Sequence, residues 1–218
     1  MTLEDISAKI DLRLNKSASA DYDNIWTFAK EEAFNKAVIE WVRRQKKGKN
    51  QTQEGDEETD VRVDDLQILL KEESLTSVDK GNYNQTSKIP SDYLYFKRLT
   101  PLVSKGNCKS VEIQSHLREE ANVNSLTFLP SFDFEETFHT IIGNRIHVYH
   151  NKDFSITKLL LTYYRKPKAY SFKKLSTIVE FKDDDCEMLV DEACVILASD
   201  MESFNAKQVI ENRKEFNN

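Results

Sequence analysis

Three of the four histidines, His139, His147 and His150, lie close together in the chain, and clustered imidazoles are the first place to look for a metal site or a general base. Their placement works against a shared ligand. Gly143-Asn144 separates two β-rich runs, Thr137 to Ile142 and Arg145 to His150, and a two-residue loop with Gly first predicts a type II′ hairpin. With that turn His139 faces Val148 and His147 faces Thr140, so His139 and His147 point to opposite sides of the sheet. His139 and His150 can share a face diagonally, but no carboxylate or cysteine is fixed beside them, and structural zinc takes four ligands. Cross-strand packing accounts for the rings, and no metal or cofactor is expected.

The carboxylate clusters are adjacent residues: Asp183-Asp184-Asp185, Glu119-Glu120 and Glu135-Glu136. Consecutive helical residues diverge by about 100° each, so the three aspartates cannot all face one ion. They suit a helix cap and first turn. No GxxxxGK[ST], GxGxxG or GxSxG occurs, which leaves phosphate cradles and nucleophile elbows without support. The strongest nucleic-acid candidate is Tyr163-Tyr164-Arg165-Lys166-Pro167-Lys168 with Tyr170, Lys173 and Lys174 beyond it, where cations could meet phosphates while tyrosines stack. The alternative is a strand end whose tyrosines pack and whose charges face water or an acidic partner.

Helices and strands must position these groups. Thr2 with Asp5 three residues on predicts a cap, and Leu3, Ile6, Ile10 and Leu14 follow at helical spacing. Trp26, Ala29, Ala33, Ala37 and Trp41 make a stripe along a helix from Tyr22 to about Arg44, facing a core or another subunit. Arg43, Arg44, Lys46, Lys47 and Lys49 are then followed by Glu54, Asp56, Glu57, Glu58 and Asp60, opposed charge blocks that predict a mobile loop over about 45–60. Val61, Leu66, Leu69 and Leu70 predict a short helix, and Ser74 to Lys88 a polar loop turning at Gly81-Asn82.

Pro90 opens either a helical turn or a strand. Tyr95 to Ser104 and Cys108 to Gln114 read as a β pair, with Pro101 at an edge or bulge, and Ser115 to Val123 is helix-compatible. After the first hairpin, Phe154 to Arg165 predicts a second, giving a three-stranded scaffold whose Leu159-Leu160-Leu161 centre wants cover on both faces from helices or a neighbouring subunit. Ser171 to Lys182 is extended. The longest helix starts at Asp183, with Cys186, Leu189, Val190, Ala193, Leu197, Met201 and Phe204 as its apolar stripe and Arg213 and Lys214 near its end.

With 218 residues the chain can bury a sizeable core. Its 31 basic and 37 acidic residues give a formal charge of −6, which disfavours tight DNA binding over the whole surface. Cys108, Cys186 and Cys194 follow no disulfide or zinc spacing and read as reduced thiols. The segment MTLEDISAKIDLRLNK lacks the apolar core of a secretory signal, and no run reaches the ~18 apolar residues of a spanning helix, so no membrane association is expected.

Three pieces together carry a resemblance: Pro90 to Leu94 leading into strands, the stretch from Val111-Glu112-Ile113-Gln114 to Asn124, and Gly143-Asn144-Arg145-Ile146 with Tyr163-Tyr164-Arg165-Lys166-Pro167. In these the chain resembles a structural ring protein of the head-to-tail connector in crAss-like bacteriophages, over most of its length from about Asp21 to Phe204. The resemblance implies an α+β fold: a connector-adaptor-like helical bundle made by the N- and C-terminal helices, with an inserted antiparallel β subdomain. The corresponding divisions are 1–89, 90–170 and 171–218. It further implies a non-enzymatic virion subunit at the head–tail junction, assembled in the host bacterial cytoplasm. The subunits would form a homo-oligomeric, twelvefold ring between the portal protein and further ring or tail proteins, with double-stranded DNA passing through the lumen without sequence-specific binding. The charge blocks, Arg43, Arg44, Lys46, Lys47, Glu57 and Glu58 with Asp183, Asp184 and Asp185, would then meet neighbouring subunits, and Arg165, Lys166, Lys168, Lys173 and Lys174 would meet DNA or an acidic partner. The rival readings are a phage DNA-binding accessory protein using residues 163–174 and a phage-encoded enzyme of unknown type.

Overall fold

The computed structural model describes residues 1–17, 25–47, 66–118 and 129–200. The chain divides into two units, Met1–Ile68 with Pro167–Asn218, and Leu69–Lys166. The fold is mixed α+β: among the described residues the first unit holds three α-helices and the second holds two sheets. Glu54 to Asp60, with Glu57 and Glu58, lies outside the described residues, as do Lys49, Glu119-Glu120, Met201, Phe204, Arg213 and Lys214.

Helix α1 (Leu3–Ser17) starts at the expected capping box. The Asp5 N–H donates to Thr2 Oγ1 at 3.2 Å, and the Thr2 N–H donates back to Asp5 Oδ2 at 3.0 Å. Its stripe Leu3, Ile6, Ile10 and Leu14 is fully buried. Helix α2 (Thr27–Lys47) buries Ala33, Phe34, Ala37, Val38, Trp41 and Val42. Trp26 precedes the helix and is 77% exposed, because the buried stripe begins one turn later.

Helix α3 (Asp183–Asp200) carries Asp183, Asp184 and Asp185 in its first turn, where they complement the positive end of the helix dipole. The Lys182 carbonyl accepts the Cys186 N–H at 2.9 Å, so Lys182 rather than Asp183 is the cap residue. Helix α3 pairs with α1 through Lys9 and Arg13 to Glu187 and through Arg13 to Asp191, and with α2 through Arg44 to Glu192. The segment before it is not simply extended. It turns at Lys174 and Thr177, and it seats Tyr170 and Phe172 edge-on against Phe34 and Phe181 against Trp41.

The second unit contains β1 (Leu70–Leu75), β2 (Ser77–Asp79), β3 (Tyr83–Thr86), β4 (Tyr93–Ser104), β5 (Val111–Glu112), β6 (Gln114–Leu117), β7 (Glu136–Ile142), β8 (Arg145–Tyr149) and β9 (Ser155–Arg165). The first sheet runs β1-β9-β4-β5 and the second β2-β3-β8-β7-β6. All ladders are antiparallel except β6 on β7. Leu75, Leu99, Leu159, Leu161 and Tyr163 of the first sheet pack with Ile146 and Val148 of the second.

The hairpin at Gly143 has the expected register, His139 opposite Val148 and Thr140 opposite His147. Gly143 takes φ +59° while Asn144 keeps a negative φ, as a type II′ turn requires. The second hairpin does not form. Asn151 and Lys152, at φ +46° and +64°, turn the chain out of the second sheet, and β9 pairs instead with β1 and β4. Those distant partners let Leu159 and Leu161 face the companion sheet, which covers one face of the leucine run, while Leu160 is half-buried on the other.

Three local expectations also yield to non-local pairing. The short helix at Leu66 to Leu70 is a 3₁₀ turn, Gln67–Leu69, running into β1, the polar loop contains β2 and β3, and Ser115 to Leu117 belongs to β6. Pro101 sits inside β4 without cost. Its carbonyl points to Ile113 N–H at 3.0 Å, so its nitrogen faces the same side, away from the β9 ladder.

Glu192 is 5% exposed and answers Arg44 through two parallel contacts, one of 2.7 Å from Nη1 to Oε2. Arg44→Met is expected to destabilise the chain by about 3 kcal/mol, because a buried carboxylate loses its cation, and Arg44→Met with Glu192→Leu to recover most of that. Chemical denaturation of the two variants checks it.

Candidate functional site

The three histidines of the second unit take separate places. His139 on β7 is fully buried, shares a 2.8 Å hydrogen bond between Nδ1 and Ser115 Oγ of β6, and lies against Phe96 of β4 with ring centroids 5.0 Å apart. Burial, and then the neighbouring His116, pushes its pKa down to about 4. A serine beside a neutral imidazole is the first half of a nucleophile–base pair. The second half would be an acid orienting Nε2, and among the described residues the buried His139 Nε2 has no hydrogen-bond partner.

His147 faces the other side, stacked on Tyr83 at 4.8 Å and 3.0 Å from Gln85 Nε2. His150, just past β8, is buried at the wall of a polar cleft of about 520 Å³ lined by Asp79, Asn84, Lys105, Lys152, Asp153 and Ser155 among others. The Lys152 N–H donates to His150 Nδ1 at 3.1 Å, which fixes the proton of the neutral ring on Nε2. Asp79 Oδ1 lies 3.4 Å from that nitrogen, an electrostatic contact without hydrogen-bond geometry. A protonated Nε2 cannot ligate a metal or act as a base. Two further charges of the cleft answer one another: Lys105 Nζ is 2.6 Å from Asp153 Oδ1, and Asp153 Oδ2 accepts the Phe132 N–H at 2.8 Å. Among the described residues no three His, Cys, Asp or Glu side chains converge on a point that could hold an ion.

The basic aromatic stretch is divided by the unit boundary, with Arg165 and Lys166 in one unit and Lys168, Lys173 and Lys174 in the other. Its tyrosines are core. Tyr163, Tyr164 and Tyr170 are all buried, so none offers a face for a base to stack on. Lys166 Nζ donates to the Ser91 carbonyl at 3.4 Å, Arg165 Nη1 to the Lys166 carbonyl at 3.2 Å, and Lys168 Nζ lies 3.6 Å from Glu180. Lys173 and Lys174 are exposed.

Of the residues proposed to meet neighbouring subunits, Arg43 is exposed, Lys46 is half-buried and Arg44 is engaged by Glu192 within the chain. Asp183 accepts the Met1 ammonium at 2.5 Å, Asp184 is exposed and Asp185 is buried. Lys47 ends α2. Cys186 and Cys194 are buried, which raises their pKa values to about 11 and about 12, and Cys108 is exposed.

Sequence reasoning missed the outer face of the second sheet. There Tyr83, His147, Tyr149 and Phe138 from three strands form a chain of ring contacts, and Arg118 lies 4.5 Å over Phe138. The i, i+2 alternation of Arg145, His147 and Tyr149 was the signal that could have found it.

No helix among the described residues is long and apolar enough to cross a membrane. A scan of protein-family models finds no match, and a search of curated proteins finds no similar sequence.

His139 is neutral when folded and titrates near its ordinary value of 6.5 when unfolded, so the unfolded chain binds the extra proton between pH 6.5 and about 4. Its contribution is fully present above pH 6.5 and is lost as pH falls toward 4, on the order of 3 kcal/mol in all. Denaturant titrations across that window should show a shallower pH slope for His139→Phe than for the parent.

Proposed function

We propose that the chain is a non-enzymatic virion protein, a ring subunit of the head-to-tail connector of a crAss-like bacteriophage that joins the portal to the tail around the DNA channel. The observation that carries the reading is the plan of the chain. Both ends contribute to one helical unit, in which α3 is bonded to α1 and α2, and the continuous segment between them makes a β unit. That plan agrees with the connector-adaptor architecture the sequence resembles, a helical bundle with a β insertion.

In such an assembly each copy presents two different patches, and head-to-tail contacts close into a ring when the rotation closes. Exposed Arg43 and the acidic first turns of α1 and α3 offer charge for those contacts. The net charge of −6 favours a channel lining that repels DNA and lets it slide. The DNA-binding alternative is weakened by the burial of Tyr163, Tyr164 and Tyr170.

Electron microscopy of the purified protein, alone and mixed with portal assemblies, should show rings that seat on the portal. Protein that stays monomeric at low and moderate salt and leaves portal particles bare would end this reading.

A further inference from the structure

We propose that β6 is an acid-released edge strand: a proton taken up by His139 frees β6 from β7 while the rest of the β unit stays folded. β6 ends the second sheet, is four residues long and pairs there with β7 alone. Its side chains bury little, since Gln114, His116 and Leu117 are exposed and Ser115 is half-buried. Backbone bonds hold its ends, from the Gln114 N–H to the Glu135 carbonyl and from the Arg118 N–H to the His139 carbonyl, both at 2.9 Å. Between them the catch is the 2.8 Å hydrogen bond of Ser115 Oγ with His139 Nδ1. A segment with so few buried apolar contacts opens at low cost. Upstream, Ile113 is buried with Val103 and Phe154 and donates to the Pro101 carbonyl at 3.0 Å, an anchor about which β6 swings.

His139 sits where a second proton finds no partner. In the neutral ring Ser115 answers Nδ1, whichever of the two atoms donates. Once the ring is protonated both nitrogens carry hydrogens, and the fully buried Nε2 has no acceptor among the described residues. The elements packed around it supply none. β4 presents Phe96, with ring centroids 5.0 Å apart, and the neighbouring Lys97 lies over Tyr164. β8 presents Val148, and His150 two residues on carries its own proton on Nε2. Glu136 is three positions away along β7, on the other face.

The ionisable groups that β6 brings are His116 and, just past it, Arg118, whose charges have the sign of an imidazolium. Burial and His116 are the two causes that hold the His139 pKa down, and departure of β6 relieves both. It also makes β7 the edge of the sheet, with backbone groups open to another strand.

Hydrogen exchange of the full chain, read residue by residue by NMR and corrected for the intrinsic rate at each pH, tests this. The Gln114 and Arg118 amides report β6, and the ladder amides of β9 report the body of the unit. At pH 7 the two β6 reporters should be protected at least about tenfold less than β9. Closed His139 titrates at about 4 and released His139 near 6.5, so closure is fully favoured above pH 6.5 and weakens as pH falls toward 4. Protection at Gln114 and Arg118 should therefore drop on the order of a hundredfold from pH 7 to pH 4. His139→Phe should flatten that dependence, and His116→Gln, at an exposed position, should keep most of it. Equal protection of β6 and β9 means that the unit opens as one body and overturns the proposal. So does parental β6 protection that stays flat with pH, a dependence that survives in folded His139→Phe, or one that His116→Gln abolishes. If His139→Phe does not fold, the parent and His116→Gln decide between these outcomes.

Discussion

The β unit depends on Leu159, Leu161 and Tyr163 leaving water together. They lie on one face of β9, between β1 and β4, and meet Ile146 and Val148 from the other sheet. Each fully buried side chain of this size contributes roughly 1.5–3 kcal/mol. The tyrosine brings a hydroxyl with it, and the fold provides for that group. Tyr163 donates to Asp92 Oδ1 at 2.7 Å, and Lys71 Nζ holds the other oxygen of Asp92 at 3.1 Å. Burial and then Asp92 raise the phenol pKa to about 12, so it stays a donor. One end of the apolar seam is therefore closed by a polar latch reaching β1, β9 and the start of β4.

The helical unit solves a related problem at its linker. Residues 167–182 form no strand; the backbone of residues 1–4 pairs with part of them around the bridge of Thr2 with Ile178, and α2 side chains supply partners for another part. Asn35 exchanges two 2.8 Å hydrogen bonds with the Tyr170 backbone, and Glu31 Oε2 accepts from Phe172 N–H at 2.9 Å and Ser171 Oγ at 3.1 Å. These side chains do for the linker what a neighbouring strand would otherwise do. They also fix where Tyr170 and Phe172 meet Phe34.

Legibility in the sequence followed the range of the deciding interaction. The cap of α1, its apolar stripe, the later part of the α2 stripe from Ala33, the described part of the α3 stripe and the turn at Gly143 rest on residues a few positions apart, and each was readable. The partners of β9 were not. Asn151-Lys152-Asp153 has the composition of a hairpin turn, but whether the strands beside a turn pair with each other depends on what else competes for them, and β1 and β4 lie far back in the chain. The same competition made strands of residues 83–86 and 114–117, whose polar composition carries little strand signal. At the histidines, the register separating His139 from His147 was legible from the turn. The tautomer of His150 was not, since it is set by the backbone of Lys152 in a left-handed conformation.

The two-ended construction of the helical unit has a consequence for how the protein is made. Helices α1 and α2 leave the ribosome first with their apolar stripes uncovered, because α3, which bonds to both, is translated only after the whole β unit. The β unit, being one continuous segment, can complete itself during synthesis. The first-made part of the chain is thus among the last to close, and its waiting time is set by the length of the segment between, a stretch in which exposed Leu3, Ile6, Ile10 and Phe34 would be open to chaperones or to another nascent copy.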